Sequence, residues 1–370
     1  MSESAKQQNR IKKHLICIAA AILIILAVCA TAIYYVDPFF HYHAPLEGFP
    51  YVVDNQLTQN PGMAEHMEYD SVILGSSMTV NFETDWFKEL FDLDTLKLSY
   101  SSAYPKDISN ILSKIYKPYD DGRNKSIKAV FLGVDIITYS GDINETKYPL
   151  PEYLYDENPV NDINYLLNKT VLLEYVLRPI ADPEPTDLSH VYASWWTPEY
   201  YNEESVLRGH DVPKKNPTEL PPDAFTEGIS SNLDANIIPY IKEHPETEYY
   251  IFFPPYSILF WNDVYTDNRL RATMNAYRCV YEKLSEFDNV RMFYFPAEKD
   301  IVTDLDNYAD YTHYKPEINR YMTECFKDGK DELSPVPGKD RDMEAYLSDM
   351  EKILDEYDFD ELNRKLDAYR

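Results

Sequence analysis

Five short apolar runs recur along the chain, separated by stretches whose apolar positions repeat every three and four residues. The runs are SVILG (71–75), TLKLSY (95–100), KAVFLGV (128–134), YYIFFPP (249–255) and VRMFYF (290–295). Runs of this length, rich in β-branched and aromatic residues, predict strands that are buried on both faces. ETDWFKELF (83–91), PKDISNILSKIY (105–116) and SSNLDANIIPYIKEH (230–244) predict helices, with Pro105 at a helix start and Pro239 expected to kink its helix. DNRLRATMNAYRCVYEKLSEF (267–287) and KPEINRYMTECF (315–326) predict two more. The alternation predicts a three-layer α/β/α fold around a mainly parallel five-stranded sheet.

A different pattern precedes this alternation. Lys6, Arg10, Lys12 and Lys13 stand ahead of an uncharged run of 22 residues, LICIAAAILIILAVCATAIYYV (15–36). As a helix it would extend about 33 Å, enough for a hydrocarbon core of roughly 30 Å. A cleaved signal peptide is the rival reading, but the run is long and has no clear small-x-small exit. LAVC (26–29) carries Val28 where a lipobox has a small residue, and the apolar run continues past Cys29. The expectation is an uncleaved transmembrane signal anchor at 15–36. Residues 1–14 then form a cytoplasmic tail, and everything beyond Val36 is extracytoplasmic.

Residues 37–68 read as a juxtamembrane lead and 69–330 as the α/β domain, interrupted at 139–229 by a segment rich in Pro, Tyr and Asp. That segment is either a lid or a subdomain. Its YASWWTPEYY cluster (192–201) places Trp195 and Trp196 either in a sugar-stacking wall or in the insertion's own core. In the lead, His41 and His43 lack an acidic or Cys partner at metal-ligand spacing, so interfacial packing is expected and no metal site. After Lys330 two prolines mark a linker, and 331–370 repeats its apolar positions as amphipathic helices. Beyond Val36, 31 bases face 62 acids, a surface that repels nucleic acid. Cys17 and Cys29 lie in the apolar run, which leaves Cys279 and Cys325 as two buried thiols rather than a disulfide framework.

In an open parallel sheet, ligands bind beyond the carboxyl ends of the strands. Ser76 and Ser77 follow the first strand there, and DYTHY (310–314) sets Asp310 three residues before His313 ahead of the last core helix. Acyl transfer by a serine needs an imidazole to take its proton and an acid to hold that imidazole. Ser, Asp and His in this order, at these ends of the pattern, form a candidate triad.

Gly75-Ser76-Ser77-Met78 paired with Asp310-x-x-His313 resembles the SGNH/GDSL hydrolase superfamily, in motif order over residues 69–326. Within it the chain is most similar to the membrane-anchored, extracytoplasmic branch around the teichoic acid D-alanyl transfer protein and the alginate acetylation proteins. GSS in place of GDS, the N-terminal anchor and FFPPYS (252–257) all fit that branch. The resemblance implies a flavodoxin-like sheet and makes Ser77 the nucleophile, His313 the base and Asp310 its orienting acid. It implies an oxyanion hole from the Ser77 and Ser102 N–H groups, with Ser102 where the superfamily's second block has a glycine. GVDI puts Asp135 where the third block has an asparagine, and an ionised Asp cannot donate to an oxyanion. Asp135 and Tyr256 are therefore candidates for substrate binding, as are Trp195 and Trp196.

The resemblance further implies an extracytoplasmic serine acyltransferase or esterase that modifies a cell-envelope glycan or teichoic-type polymer. No cofactor is implied, and the partner it suggests is a multi-spanning membrane O-acyltransferase. The rival expectation, favoured by Asp135, is a non-catalytic glycan-binding or assembly factor that keeps the fold. Topology is testable at once: protease added to intact cells should digest the large domain, and its protection would contradict the charge-based orientation.

Overall fold

The computed structural model describes residues 3–119, 122–193, 197–211 and 213–369. The chain divides into two compact units, one made of Met1–Val53, Thr58–Met67 and Leu150–Thr186, the other of Asp54–Leu57, Glu68–Pro149 and Asp187–Arg370.

The first unit is built on a helix from Glu3 to Val36, of which Gln7–Val36 is long and apolar enough to cross a membrane. Asp37 ends it and gathers the lead that follows. Its Oδ1 accepts from the His41 amide at 3.0 Å and from the Tyr165 hydroxyl at 2.9 Å. Its Oδ2 accepts from the amides of Tyr42 and His43, at 2.7 and 3.0 Å. His41 Nε2 lies 3.4 Å from Asp162 Oδ1, so this histidine takes part in a packed acid–aromatic network. A helix at Gln56–His66 was not expected, because Pro61 and Gly62 sit inside it. Gly62 is required by close approach: a Cβ there would lie 2.1 Å from the Phe39 carbonyl oxygen.

The second unit holds the sheet. β1 (Ser71–Leu74), β2 (Thr95–Lys97), β3 (Ala129–Gly133), β4 (Glu248–Phe253) and β5 (Val290–Tyr294) run all-parallel in the order β2-β1-β3-β4-β5. Helices flank this sheet in an α/β three-layer fold, as the sequence predicts. The strand residues alternate between two aromatic layers, because successive side chains point to opposite faces. On one face Phe131 and Tyr250 stack at 4.5 Å, and Phe252 meets Phe326 of the Pro316–Asp328 helix at 5.2 Å. On the other, Phe253 meets Tyr277 of the Leu270–Leu284 helix edge-on at 5.1 Å. Each such pair contributes about 1 kcal/mol beyond the area it buries.

The expected helix at 230–244 is present as three pieces: α-helix over Thr226–Asn232, a π-turn over Leu233–Ile237 and α-helix over Ile238–Glu243. Pro239 has no N–H for the ladder and its ring crowds the preceding turn, so the chain widens ahead of it and restarts with Pro239 in the first turn. Cys279 and Cys325 are both buried and unbridged.

One buried charge stands on β2. Lys97 is fully buried, and its Nζ donates to the carbonyls of Val80 and Phe82 at 2.8 Å each and of Ser189 at 3.2 Å. Burial pushes this amine down to about 7, against the opposing pull of Glu83 and Asp187. Three carbonyls match the three N–H donors of the ammonium, and they pin the chain that leaves β1. Lys97→Met keeps the stem and removes the donors. It should lower stability by roughly 3 kcal/mol, since three buried carbonyls lose a charged partner; a melting temperature unchanged from the parent protein would show that the contacts contribute nothing.

Candidate active site

The site stands at the point where strand order reverses, between the carboxyl ends of β1 and β3. β1 stops at Leu74 and Gly75 turns the chain with φ +140°, a conformation open essentially to glycine. A Cβ on Gly75 would also lie 2.7 Å from Thr79 Cγ2. A single 3₁₀ turn, Ser77–Thr79, follows. Ser76 caps it: the buried Ser76 Oγ accepts from the Met78 amide at 3.2 Å. Ser77 is the first residue of the turn and stays partly exposed. The two adjacent serines thus do different work, one as a cap and one presented to solvent.

Ser77 Oγ lies 2.8 Å from His313 Nε2 across 236 residues of sequence. His313 and Asp310 sit in a turn closed by a bridge between Tyr308 and Tyr314. The carboxylate of Asp310 divides its work. Oδ1 accepts from the amides of Thr312 and His313, each at 2.8 Å, and so shapes the turn. Oδ2 lies 2.7 Å from His313 Nδ1. A carboxylate only accepts, so this contact places the proton on Nδ1 and leaves Nε2 to accept from Ser77. Burial by itself would raise Asp310. The hydrogen bonds and electrostatic pull of His313, with the amide of Thr312, outweigh it and hold the carboxyl below the ordinary range.

Two residues that the sequence did not single out lock the turns together. The Tyr314 hydroxyl and Asn319 Nδ2 both donate to the Met78 carbonyl, at 2.9 and 3.3 Å. From β4's exit, Ser257 Oγ donates to the Tyr311 carbonyl, and the Tyr308 hydroxyl donates to that of Pro255, both at 2.6 Å. Tyr314 was legible in DYTHY only as an aromatic beside the histidine.

Ser102 adopts φ +60°, the left-handed conformation that a glycine takes more readily. The Tyr100 amide donates to the Gly75 carbonyl at 2.9 Å, so the chain approaches the Ser77 turn two residues earlier. The flanking amides are committed, Ser101 to Gln56 Oε1 at 2.8 Å and Ala103 to the Tyr100 carbonyl at 2.8 Å. Trp195 and Trp196 lie outside the described residues.

Asp135 follows β3 and its carboxylate accepts from the Tyr256 hydroxyl. Burial raises this carboxyl, while the neighbouring Ser76, Tyr256 and His313 oppose the rise. Tyr256 is itself buried, and burial together with Asp135 keeps its phenol protonated as a donor. Asp135 and Tyr256 are therefore a hydrogen-bonded pair that links the ends of β3 and β4. Asp135→Asn and Tyr256→Phe should each destabilise the protein, by roughly 1–3 kcal/mol as expected for a hydrogen bond to a charged group. In the double variant the losses should fall short of their sum by about 1 kcal/mol, and strict additivity would show that the pair is not coupled.

No family model matches the chain, and no curated protein does. A solved structure described as "a putative platelet activating factor from Streptococcus pneumonia" is similar over 74% of this chain and 90% of its own, at 12% identity and a TM-score of 0.39. A likeness that slight says nothing of activity, and the chemistry rests on the distances within this chain.

Proposed function

We propose that this protein is a membrane-tethered serine esterase or acyltransferase that acts outside the cytoplasmic membrane on a cell-envelope glycan or teichoic-type polymer. The observation that carries the chemistry is the unbroken relay from Ser77 Oγ through His313 to Asp310, at 2.8 and 2.7 Å. The tether is supported by the apolar helix at Gln7–Val36, and the outward orientation by the bases ahead of it. The polymer class, and a multi-spanning membrane O-acyltransferase as partner, rest on the sequence resemblance alone.

In the proposed reaction His313 Nε2 takes the Ser77 proton as Oγ attacks the acyl carbonyl. The N–H groups of Ser77 and Ser102 receive the oxyanion, and Asp310 stabilises the imidazolium. Collapse expels the alcohol, which leaves with the proton from His313, and Ser77 keeps the acyl group. Water or a glycan hydroxyl then attacks that ester, giving its proton to His313, and release of the product returns the proton to Ser77. Hydrolysis and transfer share every step up to this choice of acceptor.

A serine-reactive fluorophosphonate separates this reading from that of a non-catalytic assembly factor. The parent protein and Ser76→Ala should be labelled, and Ser77→Ala should not. Asp310→Asn should react roughly 10³–10⁴-fold more slowly, as expected when the imidazole is left in the wrong tautomer. An unlabelled parent protein with an intact fold would favour the non-catalytic reading.

A further inference from the structure

Within the first unit, the apolar helix changes character near its end. Up to Val28 its described side chains are exposed; from Cys29 one side becomes covered, with Ile33 and Val36 buried while Thr31, Tyr34 and Tyr35 stay exposed. The cover comes from the short helix Ile163–Leu166 and the π-turn Val171–Leu177, both packed on this helix. Their inward residues are what such packing requires, with Tyr165, Val171 and Val176 buried.

Their outward residues are not those of a surface that faces water. Leu173, Leu177 and Ile180 are 41%, 47% and 60% exposed and stand four and three residues apart, so they form one stripe. Ile163 and Leu167, four apart on the preceding turn, add to it at 57% and 38%. Single exposed aliphatics are ordinary; three on one stripe with two more on the preceding turn are not. At the margin stand Lys169 and Arg178, both exposed, with Arg178 3.6 Å from Glu174. The row is carried by the segment that packs against the outer end of the candidate span, whose own exposed residues at 22–26 are Ile, Leu, Ile, Ile and Leu.

We propose that residues 163–181 form a shoulder that lies in the lipid interface beside the span. Leu173, Leu177 and Ile180 enter the boundary of the acyl chains, and Lys169 and Arg178 reach the headgroups. The apolar stripe provides the affinity, as for helices that lie in the membrane plane. Long cationic side chains at its edge extend toward polar headgroups while their stems stay on apolar surface. A lipid occupant follows from continuity: the neighbouring surface belongs to a helix already suited to hydrocarbon. The inference rests on the reading of residues 15–36 as a membrane span and is independent of the chemistry at Ser77.

The test uses the full chain with Cys17, Cys29, Cys279 and Cys325 replaced by Ala, reconstituted in phosphatidylcholine vesicles. Single cysteines at Leu173→Cys, Leu177→Cys and Ile180→Cys carry an environment-sensitive fluorophore. Leu23→Cys serves as the reference in the span and Val336→Cys as the reference in water. The shoulder positions should emit to the blue of position 336 and be quenched several-fold more by nitroxides on lipid near the headgroup. Position 23 should respond best to nitroxides deep in the acyl chain. If the shoulder positions match position 336 while position 23 is quenched by lipid, the shoulder is wrong and the span stands. If position 23 is not quenched by lipid either, both readings fail. Shoulder positions shielded from lipid nitroxide and from aqueous iodide alike would mean that protein covers the stripe, which also overturns the proposal.

Discussion

The candidate site depends on how one carboxylate is shared. Asp310 uses one oxygen to hold the amides of its own turn and the other to hold the His313 imidazole. The turn therefore cannot change shape without moving the ring, and the ring cannot rotate without abandoning a charge-assisted bond. Everything else at the site places this unit against Ser77. Tyr314 and Asn319 carry the connection to the Met78 carbonyl, so the His313 turn is fixed to the backbone of the very turn that presents Ser77. Preorganisation of this kind is what allows a weak nucleophile to be activated without motion at the moment of reaction.

Support for the Ser77 turn comes from two further directions. Lys97 holds its outgoing chain through the Val80 and Phe82 carbonyls. The Ser76 hydroxyl caps the turn itself by accepting from the Met78 amide. Asp135, just after β3, accepts from the Tyr256 hydroxyl just after β4 and so ties the ends of the two strands together.

Much of this was legible in the chain. Strands buried on both faces leave uninterrupted apolar runs, and all five could be read to within a residue or two at most ends. β2 was read too long, because beyond Lys97 the chain still leans on β1 through single bonds from Leu98 and Tyr100 without remaining a strand. The meeting of Ser77 with His313 and Asp310 was legible because one motif directly follows β1 and the other is a short turn just ahead of a helix. The Gln56–His66 helix was hidden by Pro61 and Gly62, whose fit depends on the backbone of Phe39 and Phe40. Lys97 was hidden because nothing local marks a lysine whose acceptors arrive from three other positions. The Met78 clamp was hidden for the same reason: its donors lie more than two hundred residues away.

The central claim is that Ser77 carries an acyl group in the course of turnover. Mixing the full-length protein with an excess of a nitrophenyl ester tests it most directly, if the acyl group is then located by peptide mass mapping. The account predicts a burst of about one equivalent of nitrophenol, the kinetic mark of an acyl-enzyme, with the acyl group on Ser77 and none on Ser76. A protein that turns over the ester with no burst and no acyl-Ser77 after rapid acid quench, or that carries the acyl group on Ser76, would contradict it.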